Sequence, residues 1–159
     1  MNNSIRKMIG HGAIIMVFGL VAGFGLVISL IGGFEFFPGM MLEFELPGDS
    51  RAWARTHVGG VLNGIMVFSL ALVFAAMHLP ENTEKRLIWM IVGAGYANTI
   101  FYWLGMIAEN RSLSFGDNSF GATSIAGVAG LLPALVFAFI TIIAMFILAK
   151  HAFAGDTQG

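Results

Sequence analysis

The stretch WARTHVGGVLNGIMVFSLALVFAAMHL, Trp53 to Leu79, decides the fold. From His57 it runs 23 residues without a charged side chain, and a helix needs about 20 apolar residues to cross a hydrocarbon core of about 30 Å. It reads as a membrane span, and three further runs of similar length follow the same rule, at residues 11–33, 87–108 and 124–149. Composition agrees: 57% of the 159 residues are hydrophobic and 11% charged, against roughly 25% charged in an ordinary soluble domain. The chain is predicted to be a single all-α domain over residues 1–159, a four-helix transmembrane bundle. An even number of spans puts both termini on one side. The first run follows Arg6 and Lys7 but is too long for a signal-peptide core and lacks a small-x-small cleavage site, so it reads as retained.

Charge and cysteine usage exclude several classes. The net charge is -1 and no Lys/Arg cluster occurs, so nothing invites nucleic acid. With no cysteine, disulfides, thiolate metal ligands and covalent C-x-x-C-H haem attachment are ruled out. Arg6, Lys7, Lys85, Arg86 and Lys150 lie on the side of the termini, while Arg51, Arg55 and Arg111 lie opposite. The positive-inside rule therefore predicts cytoplasmic termini. The first loop, residues 34–56, is rich in Phe with Trp53, which suits a membrane surface. The second is a tight PENTEKR turn, and the third holds the turn formers Gly116, Asp117, Asn118 and Gly121.

Small residues recur at four-residue spacing: Gly19 with Gly23, Gly60 with Gly64, Ala126 with Gly130. Close helix packing accounts for them; the alternative is that Gly60 and Gly64 clear space for a flat ligand. Polar groups inside the spans matter more, because they are costly in lipid and are functional hypotheses by default. His11, His78 and His151 belong to the side of the termini, whereas His57 opens the second span from the other side, about 30 Å away. If His57 is a ligand, it is a lone axial one. Asn63 lies about 9 Å further in at 1.5 Å per residue, and Tyr102 about 9 Å below the end of the third span. The two are expected at one level, with Asn98 one turn before Tyr102 on the same face. Interhelical hydrogen bonding is the plain account of such amides. Six residues separate His57 from Asn63, so the two point about 120° apart around their helix. They cannot easily grip one face of a planar cofactor within one subunit, which suggests an oligomer with a site shared between neighbours.

The segments GHG, GGFE, PGM, EFELPGD, WARTHVGGVLNG, YANTIFYW and NRSLSFGDNSFG resemble, in order and over nearly the whole chain, the motifs of bacterial styrene-oxide isomerases. The histidine–asparagine segment and the N-R-x-L-x-F-G loop are the specific parts. The resemblance implies a small, homotrimeric integral membrane enzyme of the bacterial inner membrane. It implies haem b held between subunits and conversion of an aryl epoxide to an aryl acetaldehyde. It puts the axial histidine at His57 and the substrate pocket at Asn63 and Tyr102; Asn98 joins them as a candidate by its place on the face of Tyr102. It also allows association with an epoxide-producing monooxygenase, for which the loops carry no feature. One departure stands out: an acidic residue and a tryptophan are expected where this chain has Ala94 and Tyr96, which would alter substrate preference if those positions shape the pocket.

The residues suit that chemistry. Opening an epoxide at the benzylic carbon leaves negative charge on oxygen, which a ferric haem with one imidazole ligand can take up as a Lewis acid. A 1,2-hydride shift then gives the aldehyde. Tyr102 and Asn63 can donate hydrogen bonds to the oxygen, and an apolar cavity keeps water from trapping the cation. Arg55, nearest in sequence to His57, is the candidate partner for a haem propionate. Two rivals remain: a haem b electron-transfer subunit, which usually needs two axial histidines, and a non-enzymatic subunit whose polar residues only pack. The ten methionines are too scattered for a copper site.

Overall fold

The computed structural model describes residues 2–155. Four long helices are present, α1 (Asn3–Ile31), α2 (Ser50–Met77), α3 (Glu81–Ile107) and α4 (Ile125–Gly155), with a two-stranded antiparallel hairpin, β1 (Gly33–Phe37) and β2 (Met40–Glu43), between the first two. Each helix is long and apolar enough to span a bilayer. The described residues thus form the expected helical membrane bundle.

The first three helices begin earlier than the apolar runs, because hydropathy marks the lipid-crossing portion and caps mark the helix. Asn2 caps α1, its side chain accepting from the Ile5 N–H at 3.0 Å. Asp49 caps α2 in the same way, accepting from Ala52 at 2.6 Å. His57 is therefore two turns inside α2 rather than at its mouth, and His11 lies well inside α1. At the other end of α1, Gly32 adopts a left-handed conformation (φ 74°) and its N–H donates to the Ile28 carbonyl. That glycine cap stops the helix just short of residue 33.

The hairpin is absent from an all-α reading. Pro38–Gly39 between two aromatic and apolar runs is its signal: Gly39 has φ 81°, the left-handed value that the third position of a type II turn requires. The Glu35 carboxylate accepts from the Gly39 N–H at 2.8 Å and closes the turn.

Packing is uneven. α1 packs most extensively on α2, α4 packs chiefly on α3, and the α2–α3 contact is smaller. Ile5, Met8, Ile15, Val67, Ala71, Phe74, Leu87, Met90, Ile91 and Ala144 form the core. The intimacy of α1 and α2 comes from Gly19 and Gly60: a Cβ on Gly19 would stand 2.5 Å from the Val61 nitrogen and 2.6 Å from the Gly60 carbonyl carbon. Gly64 meets the Met16 side chain and the Gly12 carbonyl. Gly60 and Gly64 thus serve helix packing, and the space they would clear for a flat ligand is filled by α1.

Candidate functional site

The Gly19–Gly60 approach has a chemical consequence. It brings the Gly19 carbonyl within 2.9 Å of His57 Nδ1. A carbonyl oxygen can only accept, so Nδ1 carries the proton and Nε2 is left with its lone pair in the neutral ring. The half-buried imidazole rests over Gly23, where a Cβ would sit 2.9 Å from Nδ1 and 3.0 Å from Cε1. Two glycines one turn apart on α1 therefore fix the ring's orientation and its tautomer. This is the outer-sphere arrangement that metal-bound histidines ordinarily have.

Around α2 from His57, the α2–α3 seam gathers the other candidates. Asn98 Nδ2 donates to Asn63 Oδ1 at 3.3 Å. Asn63 is 8% exposed, and its own Nδ2 has no hydrogen-bond partner. A buried amide left so costs about 1–3 kcal/mol, which marks it as a donor awaiting an acceptor. Tyr102 lies one rung nearer the start of α2. Its ring packs onto Gly59, where a Cβ would meet it at 2.3 Å, and Thr56 Oγ1 donates to its backbone carbonyl at 3.2 Å. Its hydroxyl makes no hydrogen bond to the described residues. Asn63 is thus level with Asn98, and Tyr102 sits a turn away rather than at the same level. The early start of α2 at the Asp49 cap shifts the register by that turn.

Tyr102 opens onto a cleft of about 220 Å³ lined also by Thr56, Phe101, Arg55 and Arg111. A second cleft of about 310 Å³ shares both arginines and adds Asp49, Glu109 and Phe120. Arg55 is exposed. Arg111 is held over the Phe120 ring, 4.2 Å from its centroid, with Asp49 3.9 Å away. Sequence reasoning named Arg55 for an anion but missed what places Arg111 beside it. Arg111 and Ser112 both take left-handed backbone, at φ 57° and 56°, a conformation costly for non-glycine residues. Asn110, fully buried, holds it. Its Oδ1 accepts from the Ser112 N–H at 3.1 Å, and its Nδ2 donates to the carbonyls of Ser114 at 2.9 Å and Gly116 at 3.2 Å. The N-R pair in the quoted loop motif is the visible trace of this device.

The remaining candidates separate. His11 Nδ1 is 3.0 Å from the Tyr96 hydroxyl, so Tyr96 faces α1, two residues and about 200° around α3 from Asn98. Within one chain it does not shape the Asn63–Asn98 seam. Ala94, buried and one turn before Asn98, leaves only a methyl there. His78 caps α2 with φ 50°, and His151 Nδ1 bonds the Ile147 carbonyl at 2.9 Å. Among the described residues no group of three or more His, Asp or Glu side chains could hold a metal ion. His57, its Nδ1 held by the Gly19 carbonyl and its Nε2 bare, is a single imidazole of the kind that a porphyrin-bound metal takes from a protein.

Comparison with known proteins agrees over almost the full length. A sequence model of the styrene oxide isomerase family matches residues 4–153. A styrene-oxide isomerase from Pseudomonas fluorescens is 38% identical over 147 residues, 92% of this chain and 87% of that protein.

Proposed function

The chain belongs to the styrene oxide isomerase family, and on that premise we propose that it is an enzyme rearranging a styrene-oxide-type aryl epoxide to the aryl acetaldehyde at a haem b site. The observation that carries the reading is the unpartnered, buried Asn63 Nδ2 on the seam that also carries the free Tyr102 hydroxyl. Haem b, held through His57 Nε2, would supply Lewis acidity for opening the epoxide.

The remaining roles belong to the protein. As the benzylic C–O bond breaks, negative charge builds on oxygen, and Tyr102 O–H and Asn63 N–H are the donors positioned to stabilise it. Asn98 holds Asn63 by its Oδ1, so the amide presents its N–H groups without paying reorganisation during the reaction. A hydride then moves from the neighbouring carbon to the benzylic one while the C=O bond forms; no atom or electron enters or leaves, and no general base is needed. The apolar surroundings keep water from adding to the cationic carbon.

His57 faces α1, whereas Asn63 and Tyr102 face α3. We therefore assign the two halves of the site to neighbouring subunits of a homotrimer, with haem between them. In that arrangement Arg55 and Arg111 belong to the subunit that supplies Tyr102, and are the groups to hold the propionates. The enzyme is placed in the bacterial inner membrane with cytoplasmic termini, where an epoxide-producing monooxygenase would be its supplier.

The test is the visible spectrum of detergent-purified protein with and without dithionite. A high-spin ferric Soret pattern, lost together with activity in His57→Ala, is expected. Low-spin bis-histidine bands, or full haem binding by His57→Ala, would move the ligand elsewhere.

A further inference from the structure

A second built feature lies on the α1–α3 seam, away from the α2–α3 seam. α1 and α3 both start at the same end of the bundle and are held level by Asn2 Nδ2 donating to Glu84 Oε1 at 2.7 Å. Between them runs a groove of about 450 Å³. One wall is a stripe of α1, Ser4, Lys7 and His11, at the spacing that shares a helix face. The other is Lys85 and the apolar Ile88 and Trp89 of α3. Lys7 and Lys85 lie about one turn from the two helix starts, where both helix dipoles present their positive ends. At its inner end the groove meets the His11–Tyr96 hydrogen bond. Tyr96 also lines a second, wholly apolar groove of about 430 Å³ continuing along the same seam between Val17, Phe18, Val21 and Trp103.

We propose that this seam binds an anionic phospholipid, its phosphate between Lys7 and Lys85 and an acyl chain along the apolar continuation. The charges on this end of the molecule favour a lipid over a second copy of the chain. A protein neighbour would need a carboxylate for Lys7, but Glu84 is buried and taken by Asn2, and Glu81 is held by one N–H of Lys85, whose ammonium keeps two further donors for a phosphate. No other described Asp or Glu lies at this end. Trp89, 61% exposed, has the amphipathic ring that settles at headgroup depth.

The protein is reconstituted in phosphatidylcholine bilayers containing a small share of chain-brominated lipid, either phosphatidylglycerol or phosphatidylcholine, and tryptophan quenching is read. Brominated phosphatidylglycerol is expected to quench preferentially. Each juxtamembrane lysine contributes a factor of about five to anionic-lipid preference, so Lys7→Ala lowers it about fivefold while Lys7→Arg keeps it, and Lys85→Ala, whose charge Glu81 partly offsets, lowers it by less. Trp89 lies at the headgroup end and Trp103 along the acyl groove, so Trp89→Phe lowers the preferential component and Trp89→Phe/Trp103→Phe removes it. Isomerase activity on styrene oxide, unchanged in the lysine variants, certifies their folding. Equal quenching by the two lipids, a preference that survives Lys7→Ala/Lys85→Ala, or a Trp89 that neither lipid reaches because another copy covers it would each overturn the proposal.

Discussion

Gly23→Ala tests the orientation of His57 with a single methyl group. The added Cβ would lie 2.9 Å from His57 Nδ1, 3.0 Å from Cε1 and 3.6 Å from Cγ. Ordinary carbon contacts lie at about 3.5–4.0 Å, so the ring must retreat by about half an ångström or more. That retreat strains the 2.9 Å bond from Nδ1 to the Gly19 carbonyl, a bond contributing about 0.5–1.5 kcal/mol. Alanine in a helix interior gains about 0.5–1 kcal/mol over glycine. The two terms nearly cancel in stability, so the bundle should stay folded. Metal binding has no such compensation, because losing the partner that orients a ligating histidine typically costs 10–100-fold in affinity. Haemin titration of the apo-protein should therefore show about a 10–100-fold weaker site for Gly23→Ala and a shifted Soret band. Gly10→Ala, where a Cβ meets nothing within 4 Å, should bind haemin like the parent. Equal affinity and identical bands in Gly23→Ala would refute the claim that α1 presets the imidazole.

Two further substitutions separate chemistry from architecture. Tyr102→Phe should retain haem and the spectrum yet lose rate by about 10²–10³-fold, the usual effect of removing one donor to a developing oxyanion; steady-state turnover with the spectrum as control reads it. Asn110→Ala removes the acceptor of the Ser112 N–H and the donor to Ser114 and Gly116. With about 1–3 kcal/mol at stake for each buried group left unpaired, a lowered unfolding midpoint is expected, and hydrogen exchange should show loss of protection centred on residues 110–118.

Much of this architecture could be read from the chain because lipid imposes a simple rule on length and polarity. The four spans, the helix-packing role of Gly19, Gly60 and Gly64 and the candidacy of His57, Asn63, Asn98 and Tyr102 all follow from it. Where reading fell short, the cause was local. Helix starts depend on single caps, Asn2 and Asp49, that hydropathy does not register, and the one-turn offset of Tyr102 from Asn63 followed from the second. The hairpin rests on the conformation of Gly39. Tyr96 turns toward α1 because His11 is available there, a pairing across 85 residues of sequence. The part of Asn110 in setting Arg111 rests on backbone angles that no spacing rule encodes.

The uneven packing bears on how the enzyme is built. α1 with α2 and α3 with α4 are sequential antiparallel pairs, each in broader contact than α2 is with α3. The molecule can thus be viewed as two helical hairpins joined along a thinner line. Asn63 comes from the first and Asn98 and Tyr102 from the second. Their seam comes into being only when the two hairpins meet in the bilayer. The imidazole support from Gly19 and Gly23 is complete within the first hairpin, so the nascent chain acquires an oriented His57 before the seam of Asn63, Asn98 and Tyr102 exists.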